Sequence, residues 1–404
     1  MSENSIGFKD GLDIKNRIIW ILLVMGLWYI VIFSGLGELF FSAGGPINSL
    51  ADRIGYEPDA FKFVNEYYLS TLPSFVGFFV FAWVTRRNRF VFRTHLPGYE
   101  GNRFRQIVYG LIVGFAMNFG CIACALVNGD IKLYLNFALS QIPFFVYALV
   151  CVFIQSSSEE IWTRGFIYER VNVKYPLWVA IVVNGLLFAA LHLGNPGVSA
   201  LPIIDIAVCG LSFSLAKWYT KSIWFPMGIH TGWNFTQNLL FGLPNSGLVS
   251  EASVFGLDAA SARNSLVYNV GFGVEGAFPA VLADAILGIV CLVLAAKQGR
   301  LGELTQIKGK VYEADLPPKE EEEGEVSYVY VGETSADPRP TETAETSADP
   351  RPTETQEETQ PAETAETYAE IQPTEIAETS AETQPADAQE ETQPADTPDA
   401  DFRR

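Results

Sequence analysis

Long apolar runs near 18–42, 69–85, 107–127, 141–168, 177–193, 200–216, 223–243 and 277–296 dominate the first 300 residues. A helix needs about 20 apolar residues to cross the hydrocarbon of a bilayer. The pattern therefore predicts an all-α polytopic membrane protein with about eight transmembrane helices. The second, fifth and sixth runs are short. Several carry Gly, Pro or polar residues, which helices tolerate where they pack on other helices. From about Leu316 the apolar runs stop. "ETSADPRPTET" occurs at 333–343 and again at 345–355, and "EETQPA" occurs at 357 and at 390.

Charge divides the chain in the same place. Of the 46 acidic and 27 basic residues, 27 acidic and 5 basic lie from Val311 to Arg404. The first 310 residues thus hold 19 acidic and 22 basic residues, a slightly basic body behind a net charge of -19. Low hydrophobicity with high net charge cannot offset the entropy of folding, so 311–404 is expected to be a disordered acidic Glu/Thr/Pro-rich tail. It reads as a solvated tether, a docking tail for a basic partner, or a spacer repelled by an anionic leaflet. Residues 1–310 read as a transmembrane helical bundle.

Basic residues alternate from loop to loop. Lys15 and Arg17 precede the first run, and Arg86, Arg87, Arg89, Arg93, Arg103 and Arg105 follow the second. Arg170 and Lys174 follow the fourth, Lys217 and Lys221 the sixth, and Lys297, Arg300, Lys308 and Lys310 the eighth. Positive loops stay inside, so a multi-pass plasma-membrane protein with both termini cytoplasmic is expected, its first run an uncleaved anchor. Cys121, Cys124, Cys151, Cys209 and Cys291 all fall within apolar runs and read as small packing residues.

Ionisable residues inside spans are costly; the chain has a short list of them, and three places matter. In "SSSEEIWTRGFIYER", Glu160 and Arg164 stand four apart, a spacing that pairs them on one helical face. Glu159 is left on an adjacent face without an obvious local partner. "FAALHLGN" places His192 four residues after Phe188 on the fifth run, and "GIHTGWNF" places His230 and Asn234 four apart on the seventh. His95, in the basic loop, needs no special role. At 1.5 Å per residue, Glu159 and His192 each lie about 22 Å along their helices from the inner surface. His230 reaches about 12 Å by the same rule, so its helix must start deeper or tilt to join them.

These three motifs in order, EExxxR, FxxxH and HxxxN, resemble the CAAX protease and bacteriocin-processing (Abi) family of intramembrane proteases. The type II CAAX prenyl endopeptidases are its eukaryotic relatives. The resemblance covers roughly residues 100–295. It implies a glutamate-dependent peptidase: Glu159 as the base for a water, His192 orienting that water, and His230 and Asn234 donating to the oxyanion. Glu160, Arg164 and Phe188 would support them. It also leaves a divalent metal open, possibly zinc, with Glu159, Glu160, His192 and His230 as possible ligands. Metal-free catalysis is slightly favoured, since no H-E-x-x-H helix is present and a metal would compete for the base and the oxyanion donors. The expected partners are a peptide or protein substrate at the membrane and the lipid bilayer, with no nucleic acid. A non-catalytic scaffold or bacteriocin self-immunity protein is the alternative, and a proton-coupled transporter a more distant one.

Overall fold

The computed structural model describes residues 35–41, 58–84, 89–250 and 252–308. Helices organise them: α1 is Leu72–Val84, α2 Phe104–Val127, α3 Ile142–Glu160, α4 Leu177–Leu191, α5 Ala200–Thr220, α6 Trp224–Asn234 and α7 Phe278–Lys297. Proline in the first turn of α3 and α7 takes a place where its missing N–H costs no helical hydrogen bond. α3 and α6 continue in wider i→i+5 turns, over Ile161–Ile167 and Phe235–Leu240. Such turns often mark functional sites. A small ribbon interrupts the all-α pattern: β1 (Leu133–Leu135) pairs antiparallel with β2 (Phe255–Leu257), Tyr134 opposite Gly256.

Polarity runs inside out, as lipid requires. Phe104, Ile112, Val146, Ile286 and Ile289 are exposed, while Asn118, Asn184, Asp205 and Asp284 are buried. Among the described residues, four helical stretches are long and apolar enough to span a bilayer: Phe104–Val127, Leu139–Asn172, Ala200–Thr220 and Phe278–Lys297. The described chain is an integral membrane helical bundle. The sixth run is longer than expected, its helix continuing to Thr220, whereas the second yields the 13-residue α1 behind irregular turns. Of the run 18–42, Gly35–Phe41 is described; its remainder and the acidic tail lie outside the described residues. The five cysteines are free thiols, and Cys124 departs from the packing role by facing outward on α2.

The seventh run also differs from an ordinary span, because α6 is enclosed by its neighbours nearly all round. Ser222 and Ile223, at its start, are already buried, and Asn102 Oδ1 accepts from Ser222 Oγ at 2.9 Å and from the Ile223 N–H at 3.1 Å. The start of the helix is therefore already enclosed by its neighbours. Two glycine pairs let α6 lie directly on α2. A Cβ on Gly114 would fall 2.0 Å from the Ile229 carbonyl oxygen, and one on Gly232 would fall 2.4 Å from that of Leu111. Close backbone approach through small residues four apart replaces the hydrophobic drive that lipid removes. Gly232→Leu should force the helices apart, at a cost of about 1–3 kcal/mol or more. Thermal unfolding in detergent reads this directly, and an unchanged midpoint would contradict the packing.

His95 is buried rather than exposed in a basic loop. Its Nδ1 lies 2.7 Å from the Val91 carbonyl oxygen and its ring 5.0 Å from that of Phe78. A Cβ on Gly165 would stand 2.1 Å from His95 Nε2, so the glycine after Arg164 makes room for this imidazole. Burial pushes the His95 pKa down to about 4, against the pull of the Val91 carbonyl. The unfolded chain then binds the extra proton between its ordinary pKa and about 4. Stability is full above that window and falls by about 3 kcal/mol as pH drops through it. The acid-side loss of melting temperature should shrink in His95→Gln; equal pH slopes for both proteins would refute the assignment.

Candidate active site

α3 ends in the two glutamates, and helical spacing sends them apart. Glu160 is fully buried; its Oε1 accepts from Arg164 Nη1 at 2.9 Å and lies 3.0 Å from His230 Nδ1. The Arg164 guanidinium, also fully buried, lies 4.1 Å from the Phe188 ring centre and 5.5 Å from that of Phe213. One charge pair thus joins α3, α4, α5 and α6. Trp162 anchors the same segment outward, donating from Nε1 to Ser74 Oγ on α1 at 2.8 Å.

Glu159 does have a local partner. Gln155, one turn earlier on α3, donates from Nε2 to Glu159 Oε1 at 2.5 Å. The other oxygen, Oε2, has no hydrogen-bond partner among the described residues and stands 3.9 Å from His192 Nε2 and 3.9 Å from His230 Nε2. His192 is not inside the fifth helix but is the first residue beyond α4, where the chain turns towards Gly197 (φ 71°). That end position leaves the Phe188 carbonyl free to fix the ring: His192 Nδ1 donates to it at 2.8 Å, leaving Nε2 facing Glu159. Asn234, one turn after His230, donates from Nδ2 to Gln155 Oε1 at 3.2 Å. All seven residues read from the motifs therefore meet in one place.

The comparison with known families decides what this place resembles. Residues 141–236 match the family described as type II CAAX prenyl endopeptidase Rce1-like. That segment is similar to the Rce1-like family. The match agrees with the resemblance read from the three motifs. The curated protein YyaK of Bacillus subtilis (strain 168), itself uncharacterized, is 28% identical over 150 residues, which cover 35% of this chain and 50% of that protein. The chain spans about half the length of that relative.

Every residue taken from the motifs falls within the Rce1-like segment. Three neighbours escaped the motif reading. Gln155 was legible as the residue one turn before Glu159. Asn245 and Glu275 lie beyond the segment, in the long connection from α6 to α7, and nothing in their local sequence marks them. Asn245 Nδ2 bridges Asn234 Oδ1 at 3.2 Å and Glu275 Oε1 at 2.8 Å.

The expected metal ligands do not form a metal cage as they stand. Glu160 Oε1 is engaged by Arg164 and by His230 Nδ1, so Glu160 and His230 spend donors on each other. The remaining oxygen-to-nitrogen spacings of 3.9 Å exceed the roughly 3.4 Å between atoms ligating a tetrahedral zinc. Among the described residues, no group of three or more His, Cys, Asp or Glu is arranged to hold a metal ion.

Proposed function

We propose that this protein is an intramembrane endopeptidase in which Glu159 activates water to hydrolyse membrane-associated peptides or protein tails. The observation that supports it is the unpartnered Glu159 Oε2 facing both imidazole Nε2 atoms at 3.9 Å. A water donating one hydrogen to Glu159 Oε2 and the other to His192 Nε2 turns its lone pair towards the scissile carbonyl. Attack forms the new C–O bond while the water proton moves to Glu159. His230 and Asn234 donate to the oxyanion. Since His230 Nδ1 already donates to Glu160, donation from Nε2 requires a proton on both ring nitrogens. The tetrahedral intermediate collapses by breaking the C–N bond, and Glu159 passes its proton to the departing amine. Both termini face the cytoplasm in this reading, as the basic loops suggest.

The test compares protein termini in cells carrying the intact protein with those carrying Glu159→Ala at matched expression. New termini present with the intact protein alone identify both the activity and its substrate. Identical sets would move the reading to a scaffold or immunity role. As proposed, the reaction uses no metal, so cleavage by purified protein should persist in a chelator. Loss on chelation with recovery on adding zinc would replace this route with a metal-assisted one.

A further inference from the structure

Glu275 lies in the short turn Val274–Gly276 immediately before α7, buried and remote in sequence from every motif residue. Its carboxylate accepts four hydrogen bonds. Oε1 takes Trp233 Nε1 at 3.0 Å and Asn245 Nδ2 at 2.8 Å; Oε2 takes the Ser246 N–H at 2.9 Å and Ser246 Oγ at 3.0 Å. Ser246 holds a left-handed backbone (φ 47°), a conformation non-glycine residues rarely adopt, and these two bonds to Glu275 secure it.

An ionised carboxylate only accepts hydrogen bonds. Asn245 must therefore turn its NH₂ towards Glu275, and the second hydrogen of that NH₂ goes to Asn234 Oδ1. With its oxygen committed, Asn234 must present its own NH₂ on the other side, beside Gln155 and Glu159. One of those hydrogens meets Gln155 Oε1; the other is available to a developing oxyanion. At the far end of the chain Glu159 sets the same polarity, because Gln155 Nε2 donates to it. Glu159, however, gives up its negative charge when it takes the proton of the attacking water. Glu275 takes no part in that transfer and stays an acceptor throughout.

We propose that Glu275 is a positioning residue, which through Asn245 fixes the amide orientation of Asn234 so that an N–H, not the carbonyl oxygen, faces the oxyanion. The proposal rests on the peptidase reading above. An inverted Asn234 amide would set oxygen against oxyanion, and the penalty would fall on the transition state rather than on the bound substrate. A merely structural carboxylate would show no such selectivity.

The experiment is a kinetic double-mutant cycle in purified full-length protein, on a peptide taken from the cleavage site found in cells. Glu275→Ala should lower kcat by about 10–100-fold, the range for an outer residue that orients a catalytic group, with KM within about twofold. Glu275→Gln, which keeps an acceptor for Asn245, should recover most of that loss. In an Asn234→Ala background, Glu275→Ala should have no further effect, because the group it orients is gone. If Glu275→Ala does not fold, Asn245→Ala carries the same cycle. Additive losses, full activity, or a change confined to KM would overturn the proposal while the peptidase reading stands on wild-type cleavage and its loss in Glu159→Gln. No cleavage by the unaltered protein would overturn both.

Discussion

Glu159→Gln is expected to leave a folded protein that cleaves about 10³-fold more slowly or worse, the scale of a missing general base. The amide has nearly the same shape, and its oxygen can go on accepting from Gln155 Nε2. Oε2 of Glu159 accepts nothing from the protein, so its replacement removes no hydrogen bond that holds the helices. What disappears is the proton acceptor facing His192 and His230. The effect should therefore fall on kcat and leave the melting temperature close to that of the unaltered protein. Cleavage at a near-normal rate would remove Glu159 from the role of base. A large drop in melting temperature would recast it as structural.

The opposite signature is expected at the neighbouring Glu160–Arg164 pair. Arg164→Met should destabilise the bundle by about 3–5 kcal/mol, because it leaves the fully buried Glu160 carboxylate without its cation. The guanidinium also sits between the Phe188 and Phe213 rings, so its loss loosens α4 and α5 as well as α3. Removing both charges, with Glu160→Gln and Arg164→Met together, should cost less than the sum of the single changes, since neither charge is then left stranded. Unfolding in detergent measures all three. Equal, additive losses would mean that the pair contributes nothing beyond its separate packing. Activity should fall in each variant too, because Glu160 Oε1 also holds His230 Nδ1 at 3.0 Å.

Much of the site was legible because helical periodicity is local. Glu160 with Arg164, Phe188 with His192, and His230 with Asn234 each stand one turn apart, and each spacing proved to be a contact or a shared face. Gln155 bears the same relation to Glu159, yet no charge marked it. The burial of His95 was not legible. Its neighbours in sequence are basic and loop-like, but its burial comes from Phe78 on α1 and from the space left by Gly165 on the segment after α3. The glycine pairs 110/114 and 228/232 stand in plain view along the chain; that they face each other does not.

Composition and apolar periodicity were enough for the membrane class and the helical architecture, and the spacing of polar residues within the spans singled out the motif residues. These follow from hydrocarbon thickness, residue charge and the 3.6-residue turn, all of which act within one segment. Only the tertiary structure decided that Glu159 faces two histidines while Glu160 also meets His230, that the start of α6 is already enclosed, and that Asn245 and Glu275 reach the site. Those relations depend on how closely one backbone can approach another and on where a buried polar atom finds its partner. Such partners lie tens of residues apart, and no local spacing encodes them.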